Sequence, residues 1–331
     1  MLAAFPGPVA PGWAADLTAA GIGGFVLFGT NVVDPDQLAA LTASLHTIRP
    51  DVLIAIDEEG GDVTRLWHRD GSPYPGNGAL GAIDEPALTE ATYAALGSEL
   101  ARAGIDVDLA PTADVNSSAE NPVIGTRSFG DDPALVSRHT MAAVKGLQSA
   151  GVAACAKHFP GHGATTADSH LELPTVDATP ELLAARDLPP FEGATAAGTQ
   201  AVMTAHIRIP SLTGEAPATF SPAALRLLRQ QVGFGGVVIT DALEMQGAAR
   251  YSDGSANGAV LALIAGADLL CIGSRVELAE VDACVTAVLD AVADGRLPLE
   301  RLQEASDRVA ALSAWLAAHR VPAAPVDDEL G

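Results

Sequence analysis

Basic residues are scarce in this chain: 18 Lys and Arg stand against 41 Asp and Glu, a formal net charge of −23. So acidic a surface argues against nucleic acid and anionic membranes as partners, since both are held by basic groups. Aromatic residues make up only 4% of the chain, so a binding face built on stacked rings is not expected. The three cysteines, Cys155, Cys271 and Cys284, lack the spacing of a metal cluster and read as reduced, buried small side chains. No apolar run reaches transmembrane length, and the N-terminus carries no basic segment followed by a long apolar one. A soluble, cytoplasmic protein is therefore the expectation.

What the chain does have is alternation. Short apolar runs at 2–5, 24–28, 52–57, 106–110, 152–158, 201–206, 236–241 and 267–272 read as strands. Helical patterns fall between them, at 35–45, 86–103, 133–150, 180–198, 222–231 and 255–265, with two more after the last strand. The helix from Val276 carries Leu278, Val281, Val285, Val288 and Val292 on one stripe and stops at Gly295. Several helices have Pro near their start, where the missing N–H costs nothing. Strands alternating with helices predict a parallel sheet, and eight of them in 331 residues predict an α/β fold, a single-domain (β/α)8 TIM barrel. A doubly wound open sheet is disfavoured because no G-x-G-x-x-G follows the first strand. With no domain linker and no internal repeat, residues 1–320 form one expected domain, and 321–331 a loosely held tail.

A barrel builds its active site at the carboxyl ends of its strands. Asp57, Lys157 with His158, His206 and Asp241 each stand at the end of an expected strand. Charge at the end of an apolar run is costly unless it is paired or used. The densest stretch is K-H-F-P-G-H-G at 157–163, followed by Asp168-Ser169-His170. An Asp two residues before a His accepts one ring N–H, fixes the tautomer and leaves the other nitrogen for proton transfer. Asp241, in V-V-I-T-D-A-L-E-M at 237–245, is placed either to cap a turn or to act as a rigidly held nucleophile. In I-A-I-D-E-E-G-G-D-V-T-R at 54–65, the two glycines allow a tight turn that aims Asp57 inward, with Arg65 near a polar ligand. Arg127 lies in a fourth motif, N-P-V-I-G-T-R-S-F-G at 121–130.

In this order, K-H-F-P-G-H-G with D-S-H, I-T-D-A-L-E-M, D-E-E-G-G and I-G-T-R-S-F-G resemble glycoside hydrolase family 3, in particular its single-domain bacterial β-N-acetylglucosaminidase branch. The resemblance runs from about Phe25 to Gly273. It implies a retaining exo-β-N-acetylglucosaminidase without cofactor or metal. Asp241 would form a covalent glycosyl-enzyme, and His170 would be the general acid/base, oriented by Asp168. Asp57, Arg65, Arg127, Lys157 and His158 would bind hydroxyls of the terminal sugar, and His206 is a further candidate. Substrates would carry terminal β-linked GlcNAc, from peptidoglycan fragments or chitooligosaccharides, and a monomer is expected. The acidic loop departs from the family's usual D-Q-E-G-G-R: here it reads D-E-E-G-G-D over 57–62, a more negative rim.

Two alternatives accompany this reading. A histidine repels an incoming anion less than a carboxylate does, so the same site is a candidate phosphorylase, tested by sugar 1-phosphate formation in phosphate buffer. A metal-dependent hydrolase on the same barrel would draw on the strand-end Lys, the histidines and the later Asp, but no H-x-H occurs near the first strand.

Overall fold

The computed structural model describes residues 1–273 and 277–320. Seven strands lie in chain order in one sheet, every neighbouring pair parallel. They are β1 (Leu2–Ala3), β2 (Gly24–Leu27), β3 (Leu53–Ile56), β4 (Val107–Asp108), β5 (Ala153–Phe159), β6 (Ala201–Thr204) and β7 (Val237–Thr240). All are buried on both faces, as strands covered by helices must be, and this is why they read as unbroken apolar runs rather than alternating ones. The segment at 267–272, expected as an eighth strand, forms single parallel bridges instead: Leu269 to Ile239 of β7, and Cys271 to Leu2 of β1. The sheet therefore curls until its two edges share a segment.

Side chains along each strand alternate between two apolar clusters. Val26, Leu53, Val107, Ala153, Ala201, Val237 and Leu269 point to one cluster, which Leu312 and Leu316 of the helix Leu299–His319 also join. Phe25, Leu27, Ile54 and Ile56 point to the other, against the surrounding helices. The helix Leu299–His319 is held to the amino ends of the strands by charge. Asp268 is buried and accepts from Arg229, Arg301, Arg308 and the Val238 amide. Asp106 does likewise for His46, Arg320 and the Ile54 amide.

Asp34 caps the helix Pro35–Ile48, accepting from the Gln37 amide at 2.8 Å, and Asp132 caps Pro133–Ser149 through Leu135 at 2.7 Å. The single helix expected at 180–198 is interrupted. Pro180–Leu182 leads into a π-helical turn at Leu183–Asp187, and a new helix, Pro189–Ala196, starts at a proline that cannot donate to the preceding turn. Four short α-helices had no expectation: Gly12–Ala19, Asn77–Ile83, Pro210–Thr213 and Gln246–Ser252. Beyond the last bridged segment come Leu278–Ala293 and Leu299–His319. In the first of these Cys284 and Ala291 are buried with Val281 and Val288, so the buried face is rotated from the expected valine stripe. Val276 and the expected tail at 321–331 lie outside the described residues. No described helix is long and apolar enough to cross a membrane.

Candidate active site

The loop after β3 makes a tight fold-back. Gly61 adopts φ +55°, and a Cβ there would stand 2.7 Å from the Cα of Gly76, so the approach of the two segments requires glycine. Glu58 turns away from the cavity and accepts the amides of Arg65 and Leu66, at 2.8 and 3.0 Å. That contact returns Arg65 to the side of Asp57, with Nη2 3.4 Å from Oδ2. Asp62, the last acid of the loop, is exposed and accepts from the Thr126 hydroxyl.

Lys157, near the carboxyl end of β5, is only 2% exposed, and its Nζ lies 2.7 Å from both Asp57 Oδ1 and Glu59 Oε1. Arg127 completes the array by binding Glu59 in a fork, Nε at 3.0 Å and Nη2 at 2.7 Å. Burial pushes the Asp57 carboxyl up, but Lys157 and then Arg65 outweigh it and hold it below the usual carboxylate range. Burial likewise opposes ionisation of Glu59, and Arg127 and Lys157 hold it far below that range. Desolvation works against the Lys157 ammonium, yet Asp57 and Glu59 keep it charged well above the ordinary lysine value. Five ionised side chains thus stand as one network.

His158, the next residue, is fixed from below. Its Nδ1–H donates to Asp114 Oδ2 at 2.7 Å, which leaves Nε2 as the free acceptor, 3.5 Å from Arg127 Nη2. The fully buried Asp114 also accepts the amides of His158 and His162, at 3.2 and 2.6 Å, and so organises the whole turn after β5.

Asp241 follows β7 directly, where its amide donates to Thr204 O and its Oδ1 accepts the Ala242 amide at 2.8 Å. Burial raises its carboxyl, while the imidazoles of His206 and His158 and the Ala242 N–H bring it back below the ordinary value. The group is an anion at neutral pH. His206 lies beneath it, completely buried. Its Nε2–H donates to Ala242 O at 3.0 Å and the Thr219 hydroxyl meets Nδ1 at 2.9 Å, so both nitrogens are committed within the protein. Burial lowers the His206 imidazole, and the Asp241 carboxylate beside it acts in the opposite direction.

Across the cavity, Asp168 Oδ1 accepts both the His170 amide at 2.8 Å and His170 Nδ1–H at 2.7 Å. Burial raises the Asp168 carboxyl, and the two bonds from His170 together outweigh it and hold it below the usual carboxylate range. The ring of His170, 60% exposed, presents Nε2 as its free nitrogen. Asp57, Glu59, Arg65, Arg127, Lys157, His158, His170 and Asp241 all line one cavity of about 490 Å³. Val26, Leu109, Met203 and Cys271 form its apolar floor.

Of the residues expected from sequence, His206 and Asp168 are not cavity lining: the first supports the Asp241 segment and the second supports His170. Four residues of the site were not singled out in the sequence. Glu59 is the counterion that a buried Lys157 needs, and its signal was the second Glu of the D-E-E run. Asp114, in T-A-D-V after β4, gave none beyond an acid near a strand end. His162 lines the cavity wall, and burial pushes it down to about 4. Glu244 is also at the wall, its carboxyl raised by burial and bonded to the Gly273 amide at 2.9 Å.

A metal centre would need several free donors in a cluster, and here the Nε2 atoms of His158 and His170 are the free imidazole nitrogens. His158 Nδ1 and both nitrogens of His206 are taken by protein groups. Among the described residues no three His, Cys, Asp or Glu stand together as ligands.

Residues 10–312 match the family model described as the glycosyl hydrolase family 3 N-terminal domain. The chain is 34% identical to a curated relative named beta-hexosaminidase A from Pseudoalteromonas piscicida, over 94% of this chain and 56% of that protein. It is 41% identical to a beta-hexosaminidase from Thiobacillus denitrificans, over 78% of this chain and 73% of the relative. A solved glycoside hydrolase family 3 beta-N-acetylglucosaminidase from Paenibacillus sp. str. FPU-7 superposes with a TM-score of 0.93 at 41% identity, covering 99% of this chain and 63% of that one. The chain thus spans little more than half the length of the first relative and under two thirds of this solved structure. A match over nearly all of the described fold, on motifs that converge in one cavity, makes the chain a member of glycosyl hydrolase family 3.

Proposed function

We propose that this protein is a retaining exo-β-N-acetylhexosaminidase that removes terminal β-linked GlcNAc from peptidoglycan fragments or chitooligosaccharides. The curled sheet is read as a closed (β/α)8 barrel, with residues 1–320 as one catalytic domain. The observation that carries the reading is the pairing of two groups in one cavity: an ionised Asp241 held rigidly at a strand end, and a His170 ring whose far nitrogen is fixed by Asp168. The names of the relatives supply the substrate class.

In the first step Asp241 attacks the anomeric carbon while the bond to the aglycone oxygen breaks. His170, as imidazolium, gives its Nε2 proton to that oxygen and becomes neutral. In the second step the neutral ring takes a proton from water, the water oxygen bonds to the anomeric carbon, and the ester to Asp241 is released. Asp168 holds Nδ1–H throughout and supports the imidazolium. Asp57, Arg65, Arg127, Lys157 and His158 Nε2 offer directional bonds to the hydroxyls of the terminal sugar.

The test is hydrolysis of an aryl β-N-acetylglucosaminide by the wild type, Asp241→Ala and His170→Ala, with the anomer of the first-formed sugar followed by NMR. Expected are β-GlcNAc as first product, a loss of at least about a thousand-fold in Asp241→Ala, and a smaller loss in His170→Ala, because an activated aryloxide leaves with little protonation. An α-configured first product, or an active Asp241→Ala, would overturn the assignment.

A further inference from the structure

The loop that carries the Asp168–His170 pair is fastened at the residue between them. Ser169 is 2% exposed, whereas the His170 side chain beside it is 60% exposed. The Ser169 hydroxyl lies 3.1 Å from His162 Nε2, and its carbonyl accepts the Gly247 amide at 3.1 Å. His162 is itself fixed, with Nδ1 3.0 Å from the Thr165 hydroxyl and its amide on Asp114 at 2.6 Å. Gly247 is the second residue of the helix Gln246–Ser252, which follows the Asp241 segment, and a Cβ at that position would stand 3.0 Å from the carbonyl oxygens of both Ser169 and Glu172. The loop after β5 and the loop after β7 therefore meet with no side chain between them.

We infer that Ser169, clasped between the His162 ring and the Gly247 amide, is a positioning residue that sets where His170 stands relative to Asp241. Ser169 and His162 touch no reacting atom in this scheme; they act through the loop. The clasp joins the two segments assigned to acid/base and nucleophile, so its catalytic meaning rests on the function proposed above, while its existence does not. Four hydrogen-bonding groups and one missing side chain do the work: Ser169 Oγ with His162 Nε2, Ser169 O with the Gly247 N–H, and the bare Cα of Gly247. A neutral imidazole suits the task, because one ring nitrogen donates and the other accepts, and each faces one hydroxyl. Burial pushes the His162 imidazole down to about 4, so the ring is neutral at pH 7.

The experiment compares Ser169→Ala, Ser169→Thr, Gly247→Ala and His170→Ala with the wild type. Two readouts are taken: amide hydrogen exchange across residues 164–172, and kcat/KM on a series of aryl β-N-acetylglucosaminides of rising leaving-group pKa. In Ser169→Ala and Gly247→Ala, exchange over 164–172 should rise at least ten-fold while the strands keep their protection. Activity should fall ten- to a hundred-fold on the least activated substrate and less than about three-fold on the most activated one, mimicking His170→Ala in form. Ser169→Thr, which keeps the hydroxyl, should restore both readouts. Unchanged exchange in Ser169→Ala and Gly247→Ala would overturn the clasp, whatever the activities. Raised exchange with an equal loss on every leaving group would overturn its role in positioning His170. If His170→Ala itself shows no leaving-group dependence, the proposed function fails, and the exchange data still decide the clasp.

Discussion

Lys157 Nζ and Glu59 Oε1 are 2.7 Å apart, and each side chain is only 2% exposed. Neither charge would survive there alone. Removing one partner of a buried pair costs about 3–5 kcal/mol, and the lower end of that range applies to Glu59 because Lys157 keeps Asp57 at 2.7 Å. Glu59→Gln should therefore lower stability by about 3 kcal/mol, read as a shift in the denaturant midpoint with an unchanged slope. Because Arg127 loses its fork at the same time, KM for the aryl glycoside should rise at least ten-fold, with kcat less affected. A variant as stable as the wild type, with the same KM, would show that the network tolerates a missing carboxylate.

His162 makes stability depend on pH with a definite sign. Its ordinary value of 6.5 is pushed down to about 4 by burial, so between these values the unfolded chain binds a proton that the folded one does not. The contribution is fully present above about 6.5 and is lost as pH falls toward 4, amounting to about 3 kcal/mol by 1.4 kcal/mol per unit. Other groups titrate in the same window; burial raises Asp187 to about 6, which acts in the opposite direction. The clean quantity is thus the difference between wild type and His162→Asn. That difference should shrink steadily from pH 7 to pH 4 in denaturant unfolding. A gap that stays constant would mean His162 is not buried as a neutral ring.

At the opposite end of the strands, Asp268 separates stability from catalysis. It is buried and holds Arg229, Arg301 and Arg308, two of which lie on the helix Leu299–His319. Asp268→Asn should destabilise the protein by about 3–5 kcal/mol through the uncompensated arginines. At a temperature where the variant is still folded, kcat and KM should match the wild type. A changed KM would indicate that the far end of the sheet communicates with the cavity.

Much of the site was legible in the sequence because its residues sit at fixed offsets from strands. Asp57 and Asp241 each follow a strand by one residue, and Lys157 and His158 lie in the last residues of β5. Alternation of apolar runs with helical patterns was enough for seven of the strands, though β1 and β4 are only two residues long. The stretch at 267–272 looked like a full strand from its composition, but it pairs through single bridges, which depend on how the sheet closes rather than on local pattern. The partners were harder to see. Nothing near His158 in the chain announces Asp114, 44 residues earlier, because the contact exists only once β4 and β5 are side by side. The same holds for Glu59 and Arg127, separated by 68 residues. His206 stands two residues beyond β6, and its position along the strand does not tell that the ring turns beneath Ala242 instead of into the cavity.

The ion network at the cavity has a consequence for how a ligand is recognised. Arg65, Arg127 and Lys157 already face Asp57 and Glu59, so the cations reach a sugar with most of their charge locally balanced. What they retain is direction: fixed N–H vectors on rigid side chains. An uncharged sugar should then be held by geometry, and its affinity should barely change when ionic strength rises, because counterions cannot compete for contacts that carry little net field. A chain with a formal charge of −23 can thus carry a cavity in which Arg65, Arg127 and Lys157 stand against Asp57, Glu59 and Asp241.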